Sequence, residues 1–286
     1  MKAAVQAPPR EAGIELADWN WKVVREFIEK SFGKQLCRSS CLNYLHRLGF
    51  VLKRPKKHLL KADAAQREAF VKFYLALRAV AQATGALIFF VDEAVFHAEA
   101  DLRGKWVLKG EPALVDSTSP RRADKACYYS AVCLETGEVE TMDVEDTCTA
   151  VTSAAFLKQL RESYPEPLIV IWDNAPAHRG DAIRAFLATP DLKLRLVPLP
   201  GYSPDFNADE AIWDWVRDEV TSNTCLGSKA KVREKVGAFL DGLGGRANEV
   251  KRRCRTVLQA QADALSQATA GPLSQSDHVV PTLALL

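Results

Sequence analysis

The sequence contains no apolar run long enough to cross a membrane, and this absence sets the first limit on its function. A membrane-spanning helix needs about 20 consecutive apolar residues, and the N-terminus also lacks the continuous apolar segment of a secretory signal. The seven cysteines are scattered, odd in number and never arranged as Cys-x-x-Cys, so neither a disulfide framework nor a structural zinc site is expected. We therefore expect a protein that is neither secreted nor bound to a membrane.

The charge is distributed unevenly along the 286 residues, although the net charge is only +2. Residues 1–84 contain sixteen Lys or Arg and seven Asp or Glu, whereas residues 85–286 contain twenty-two and twenty-nine. A basic segment attracts polyanions, because binding releases their counterions. The acidic remainder is suited to a metal-dependent carboxylate site. A solvated basic face with no partner is the alternative for the N-terminal part.

Three acidic residues stand where a sheet and a helix would bring them together. Residues 87–91 and 168–172 are apolar runs of strand length, followed directly by Asp92 and Asp173. Glu210 lies on a predicted helix beyond the next strand. Like charges close together raise one another's pKa, so such a group calls for a divalent cation such as Mg²⁺, which prefers oxygen ligands. For any single one of these acids, a turn or a helix cap is the simpler interpretation.

The sequence motifs around these acids indicate the function more specifically than the acids alone. They are Val91-Asp92-Glu93, Trp172-Asp173-Asn174-Ala175-Pro176-Ala177-His178-Arg179 and Gly201-Tyr202-Ser203-Pro204-Asp205-Phe206-Asn207-Ala208-Asp209-Glu210-Ala211-Ile212-Trp213. Together they resemble the IS630 group of transposases, relatives of the Tc1/mariner elements, over nearly the whole chain. The resemblance implies an RNase H-like catalytic domain with a DDE triad. Position by position, the implied catalytic residues and metal ligands are Asp92, Asp173 and Glu210.

The resemblance also implies a reaction, a cofactor and partners. A DNA transposase of an insertion sequence cleaves phosphodiester bonds at the transposon ends and transfers the strands into target DNA, here at TA sites. The implied cofactor is Mg²⁺ or Mn²⁺, and two ions can stabilise both the attacking and the leaving oxygen. The implied partners are double-stranded DNA, namely the terminal inverted repeats and the target, and a second copy in a homodimer. The expected location is the cytoplasm of a prokaryote, in association with the nucleoid.

Four neighbours of the triad are assigned by their position. Asn174 and His178 are expected to assist, with His178 hydrogen-bonding a phosphate or orienting a ligand, and a structural role is the alternative for this single histidine. Glu93 is left out of the metal site, because alternation along a strand turns it to the opposite face. Asp209 is expected to point elsewhere than the triad glutamate, since adjacent helical residues lie about 100° apart.

Two helices joined by a tight turn are predicted in the basic N-terminal segment. Apolar residues recur at helical spacing over residues 19–32, and Gly33 ends this helix. A second helix, capped by Ser39 or Ser40, ends before Gly49. This pattern favours a helix-turn-helix, and the Pro-interrupted basic arm after it matches the DNA-binding segment of the transposase family. The residues predicted to contact DNA are Arg38, Ser39, Asn43, Tyr44, Arg47, Lys53, Arg54, Lys56 and Lys57.

The order of the predicted elements defines the fold class. After a helix over residues 62–81 and the strand that leads to the first aspartate, further elements are predicted at residues 128–134, 139–144, 149–164, 168–172 and 194–197. They indicate an α/β protein, with an RNase H-like mixed-sheet catalytic domain preceded by a small all-α helix-turn-helix module of winged-helix-like type. The predicted domains are the DNA-binding module with its basic arm (1–60), a linking helix (61–84), the catalytic domain (85–225), C-terminal helices (226–267) and a flexible tail (268–286).

Two other functions remain open on the sequence alone. One is a DNA-binding protein without catalysis, as a defective or truncated copy of a transposase would be. Relatives usually carry a further helical module before the helix-turn-helix, and no such module is predicted in this sequence. Normal DNA affinity without metal-dependent cleavage would indicate the DNA-binding protein. The other is a hydrolase with paired carboxylates, such as a glycosidase, which needs no metal. Activity that persists in EDTA would favour the hydrolase.

Overall fold

The computed structural model describes residues 1–53, 62–145 and 147–269. The chain divides into two compact units, Met1–His58 and Leu59–Leu286, called here the N-terminal unit and the C-terminal unit. Each has its own packed interior.

Part of the predicted basic arm falls outside these ranges. Arg54, Lys56 and Lys57 lie outside the described residues, as does nearly all of the predicted tail, from residue 270 onward. Lys53 is described and exposed. Among the described residues, no helix is both long enough and apolar enough to span a bilayer.

The N-terminal unit is built from helices in its described part. They are α1 Lys2–Gln6, a 3-10 turn at Pro9–Ala12, α2 Trp21–Phe32 and α3 Arg38–Arg47. The side chain of Asn20 accepts hydrogen bonds from the first N–H groups of α2, and Gly33 ends the helix with a φ of 62°, which favours glycine. A small core of Val24, Ile28 and Cys41 joins α2 to α3. The predicted helix-turn-helix pair is confirmed.

The predicted serine cap of α3 is wrong. The helix begins at Arg38, so Cys37 occupies the cap position, and no side chain makes the capping hydrogen bond. Ser39 and Ser40 lie inside the first turn, where their hydroxyls are 3.0 and 3.2 Å from the Cys37 sulfur. The two hydroxyls therefore contact the Cys37 sulfur and do not cap the free N–H groups at the start of the helix.

The C-terminal unit is an α/β structure around one five-stranded sheet. Its elements are α4 Ala64–Thr84, β1 Leu87–His97, β2 Lys125–Cys133, β3 Val139–Val144, α5 Ala150–Ser163, β4 Leu168–Trp172, α6 Asp181–Leu187, β5 Leu194–Pro198, α7 Glu210–Val216, α8 Lys229–Asp241, α9 Ala247–Arg253 and α10 Val257–Thr269. The strand order is β3-β2-β1-β4-β5. The first three strands in the chain pair antiparallel, and β1, β4 and β5 run parallel. This mixed sheet confirms the predicted RNase H-like fold class.

Helices cover both faces of the sheet, and the side chains alternate between the two cores. Phe90 belongs to the larger core, which α4, α7, α8, α9 and α10 complete. Its neighbours Phe89 and Val91 belong to the second core, which α5 and α6 complete. Any residue of β1 is therefore assigned to a face by its parity.

β1 is longer than the sequence indicated, and Asp92 lies within it rather than at its end. The parallel pairing with β4 stops at Phe90 and Ile171, but the antiparallel pairing with β2 continues to His97 and Lys125. The hydrophobic run stops at Asp92 because the strand has lost one neighbour there. The remaining neighbour keeps the backbone extended for five more residues.

Candidate active site

The two triad aspartates leave the sheet on the same face. Phe90 packs in the larger core, and alternation along β1 places Asp92 on that face as well. Ile171 packs in the same core, so Asp173, two residues further along the chain, has the same orientation. Because β1 and β4 are parallel and paired as far as Phe90 and Ile171, both carboxylates lie at one edge of the sheet.

Glu210 joins the aspartates from a helix. It is the first residue of α7, and Trp213 on the same helix is buried in the larger core. Asp92, Asp173 and Glu210 all line one pocket of about 510 Å³, which Asn174 also lines. We call this cavity the acidic pocket. It brings together the three residues that the sequence assigned to the triad.

Negative charge accumulates in the acidic pocket. Burial, followed by the charges of Glu210 and Glu93, raises the pKa of Asp92 well above its usual value. Partial burial and the neighbouring Asp214 also raise the pKa of Glu210, although Arg217 opposes that shift. A cation in the pocket would favour the charged carboxylates and oppose both shifts.

His178 fixes the orientation of Asp173. Its Nδ1 lies 2.8 Å from Asp173 Oδ1, its Nε2 lies 2.6 Å from Glu93 Oε1, and its ring stacks on Trp172. Burial alone would lower the pKa of His178, but the hydrogen bonds to Asp173 and Glu93 raise it to about 9. The bond to His178 in turn lowers the pKa of Asp173. Since both ring nitrogens are engaged and only 7% of the residue is exposed, the geometry agrees with an orienting role and not with contact to a phosphate.

Glu93 faces away from the acidic pocket, as strand alternation predicted. It follows Val91 by two residues, so it lies on the side of the second core. Its role as the second partner of His178 was missed by sequence reasoning. The signal in the sequence was the odd position of Glu93 on β1, which places it on the same side of the sheet as Trp172 at the end of β4. His178 follows Trp172 closely in the chain.

Two asparagines hold the loops around the pocket. Asn174 Nδ2 donates a hydrogen bond to the carbonyl oxygen of Leu199 at 2.8 Å. Asn207, which sequence reasoning did not assign, is buried, and its Nδ2 donates to the carbonyl oxygen of Val91 at 3.0 Å. Its own side-chain oxygen accepts a hydrogen bond from the N–H of Asp209 at 3.2 Å. Asn207 thus connects the start of α7 to β1 directly before the first triad aspartate.

Asp209 points elsewhere than Glu210. It is completely buried and does not line the acidic pocket. Ser130 Oγ donates a hydrogen bond to its Oδ1 at 2.6 Å, while Oδ2 has no hydrogen-bond partner. Burial, followed by the charge of Asp92, raises the pKa of Asp209 well above its usual value.

Two family models match the chain. A winged helix-turn helix family matches residues 17–74, and a DDE superfamily endonuclease family matches residues 87–233, just over half of the chain. The chain belongs to the DDE superfamily endonucleases. This membership confirms the predicted enzyme class, and it argues against the glycosidase considered from the sequence.

The endonuclease is similar to proteins of transposable elements. It is 24% identical over 245 residues, or 84% of this chain and 69% of the relative, to an uncharacterised 39 kDa protein of insertion element IS630 from Shigella sonnei. The Mos1 strand transfer complex superposes with a TM-score of 0.59 at 16% identity, over 92% of this chain and 78% of that chain. The Mos1 mariner paired end complex with Mn superposes with a TM-score of 0.58 at 18% identity, over 92% and 79%. The resemblance to IS630 proteins is confirmed, and the structural matches support the fold.

The donor atoms of the endonuclease suit a hard divalent cation. All three triad residues offer carboxylate oxygens, which Mg²⁺ and Mn²⁺ prefer, and burial together with the charges of Glu210 and Glu93 raises the pKa of Asp92. As they stand, no three His, Cys, Asp or Glu side chains in the described parts of the chain are grouped closely enough to hold an ion. The pocket therefore fits a cation by its chemistry, while binding would draw the carboxylates closer together.

The N-terminal unit of the endonuclease exposes every described residue that was predicted to contact DNA. These exposed residues are Arg38, Ser39, Asn43, Tyr44, Arg47 and Lys53. Five of them lie on α3, the second helix of the helix-turn-helix pair.

A further basic cluster on this unit was not found from the sequence. The charged groups of Arg25, Lys22 and Arg38 lie 5.4, 5.8 and 5.9 Å from the ring centre of Trp21, within the range of cation–π attraction. Among the residues that the structure describes, none of these three cations forms an ion pair, whereas Lys30 of the same helix is paired with a glutamate. We call these four residues the Trp21 cluster. The signal in the sequence was a basic residue one and four positions after a tryptophan.

Proposed function

We propose that this DDE endonuclease is the transposase of an insertion sequence. It would cleave phosphodiester bonds at the transposon ends and transfer the freed 3′ ends into target DNA at TA sites. The observation that carries the proposal is that Asp92, Asp173 and Glu210, from two strands and a helix, line one pocket on one face of an RNase H-like sheet. The name of the IS630 relative supports it.

Asp92, Asp173 and Glu210 would hold Mg²⁺ or Mn²⁺, with two ions in the complete site. Bound there, the ions would supply positive charge to the attacking and leaving oxygens of an in-line displacement at phosphorus. One of the similar structures is the Mos1 mariner paired end complex with Mn. The raised pKa values of Asp92 and Glu210 support cation binding, because burial and neighbouring acids disfavour both charged carboxylates and a cation would favour them.

Other residues of the chain would prepare the carboxylates for this role. His178 holds Asp173 in one orientation and keeps it ionised. Asn207 fixes the loop before α7 to the strand that carries Asp92. Because these contacts exist in the protein alone, they limit the ways in which the acids can move as they draw together around the cation.

The N-terminal unit would recognise the terminal inverted repeats as double-stranded DNA. A second helix of a helix-turn-helix enters the major groove with its N-terminal residues toward the bases. Arg38, Ser39 and Asn43 occupy that part of α3, and all three are exposed. Tyr44 and Arg47 later on α3 and Lys53 after the helix are exposed as well.

We propose that the transposase acts as a homodimer. The loop between β1 and β2 carries a fully exposed Trp106, and Leu102, Leu108 and Leu114 on the same loop are 70 to 75% exposed. Four large apolar side chains exposed on one loop form a candidate interface, which we assign to a second copy of the chain. A second copy covering it would give a mass of two chains by light scattering, and a Trp106→Ser variant would then shift toward one chain.

The experiment that tests the function uses labelled DNA with candidate terminal repeats, incubated with Mg²⁺, with Mn²⁺ or with EDTA. We expect cleavage that requires metal and that falls at least about a thousandfold in Asp92→Asn, Asp173→Asn and Glu210→Gln. Asp181→Asn is the matched control, because this aspartate is exposed and lies outside the pocket. Sequencing of the joined products would test the TA preference.

Two results would contradict the proposal. Metal-dependent cleavage that survives in all three variants would remove the triad assignment. DNA that is bound but never cut by the wild type would leave a defective copy that acts only as a DNA-binding protein.

A further inference from the structure

Arg67 connects the first turn of α4 to the loop that leads into α7. Its guanidinium group donates two hydrogen bonds to Asp205, at 2.9 Å to Oδ1 and 2.7 Å to Oδ2. The same group lies 3.9 Å from the ring centre of Phe206. A planar guanidinium can satisfy both contacts at once, which a lysine ammonium cannot.

The loop that Arg67 holds is the support of Glu210. Phe206 is fully buried and stacks on Phe70, one helical turn after Arg67 on α4. The next residue, Asn207, donates its hydrogen bond to the strand that carries the first triad aspartate, and Glu210 begins α7 three residues later. The loop is therefore fixed on one side by α4 and on the other by β1.

Arg67 itself has no place in the acidic pocket. It is absent from the lining of the pocket, whereas Pro204 and Asn207, on either side of its contacts, belong to that lining. Nearly half of the Asp205 side chain is exposed, and ion pairs at such sites contribute little to folding stability. The geometry of the contact, two parallel bonds plus a stacked ring, gives precision of position more than stability.

We propose that Arg67 is a positioning residue, which holds the Asp205–Asn207 loop so that Glu210 meets Asp92 and Asp173 in the geometry that binds the catalytic cation. The inference rests on the proposed function, because it takes the acidic pocket as the catalytic site. Loss of Arg67 would leave DNA binding intact, weaken the binding of divalent cation and slow cleavage.

The test compares Arg67→Ala, Arg67→Lys, Asp205→Ala and the double variant Arg67→Ala/Asp205→Ala in the full chain. Lys72→Ala is the matched control, because Lys72 is a cation of the same helix whose ion pair with Glu68 is exposed and local. Three quantities are measured: the dissociation constant for DNA in EDTA, the Mn²⁺ concentration at half of the metal-induced shift in Tm without DNA, and the single-turnover cleavage rate at saturating DNA and Mn²⁺.

We expect Arg67→Ala to bind DNA within twofold of the wild type, to need at least threefold more Mn²⁺, and to cleave at least tenfold more slowly. Arg67→Lys should remain impaired, and the double variant should lose no more than Arg67→Ala, since that single change already removes the interaction with Asp205. Lys72→Ala should match the wild type in all three measurements.

Two outcomes would overturn the role of Arg67. One is an Arg67→Ala protein whose Mn²⁺ requirement and cleavage rate equal those of Lys72→Ala. The other is a loss that follows only from a lower Tm without metal. A wild type that never cleaves would overturn the proposed function instead, and the Mn²⁺ titration would still decide whether Arg67 positions the acids.

Discussion

His178 combines two acidic contacts that have different consequences. One ring nitrogen contacts Asp173 in the acidic pocket, and the other contacts Glu93 on the opposite face of β1. In its protonated form the ring supplies a positive charge between the two carboxylates. This buried cation is the chain's own compensation for part of the negative charge around the site.

The protonation of His178 predicts a pH dependence of stability in the metal-free protein. The folded pKa of about 9 lies above the unfolded value of about 6.5. The stabilisation is thus fully present below about pH 6.5 and is lost as the pH rises through about 9, with an upper limit of about 3 kcal/mol. Urea denaturation in EDTA at pH 6 and pH 10 should show the wild type losing more stability than His178→Gln.

His46→Gln is the control for this comparison, because His46 is exposed on α3. It should follow the wild type at both pH values. Equal pH dependence in wild type and His178→Gln would contradict the protonated pair.

At the scale of elements, the turn between β2 and β3 is held against α9. Gly137 has a φ of 81°, and a Cβ atom there would overlap the carbonyl oxygen of Ala247. We predict that Gly137→Ala lowers the free energy of unfolding by about 2 to 4 kcal/mol, because it adds a backbone clash to the strain of positive φ.

Gly85→Ala separates these two causes. Gly85 has a φ of 70°, but a Cβ atom there would have nothing within 4 Å. Its substitution should cost only the strain, about 1 kcal/mol. If urea denaturation gives equal losses for the two variants, the contact between the turn and α9 does not constrain the fold.

The hydrophobic pattern predicted several elements of the C-terminal unit. β4 was predicted with its observed bounds, and the β2–β3 hairpin and α5 within a few residues, since their burial follows the sequence period. The extension of β1 past Asp92 was not predictable from the pattern, because it depends on pairing with β2 alone. The motifs predicted three acids that line one pocket, whereas the contacts of Arg67 and Glu93 join residues 85 to 138 positions apart, which no local pattern encodes.

At the scale of the whole chain, the basic charge is concentrated in the unit proposed to bind DNA. The Trp21 cluster adds two cations of α2, Lys22 and Arg25, beside Arg38 of α3, and none of the three has an ion-pair partner in the described structure. Each phosphate that a cation neutralises contributes about 0.9 to the slope of log K against log salt. We predict that the variant Lys22→Gln/Arg25→Gln weakens DNA binding and reduces that slope by about 2.

Lys30→Gln is the matched control, because its charge is already paired on the same helix. Binding titrations between low and high salt should leave its slope close to that of the wild type. A slope of Lys22→Gln/Arg25→Gln equal to that of Lys30→Gln would show that the Trp21 cluster faces solvent in the complex.

The alternation of Asp92 and Glu93 along β1 also determines which length changes the gene can tolerate. Deleting one codon between residues 87 and 91 would shift the strand by one position, so that Glu93 would take the place of Asp92 on the side of the acidic pocket and Asp92 would take the place of Val91 in the second core. Composition and charge would hardly change, yet a carboxylate would be buried among apolar side chains and His178 would lose its second acidic partner. Insertions and deletions should therefore be absent from this interval among active copies, while the β1–β2 loop can vary in length.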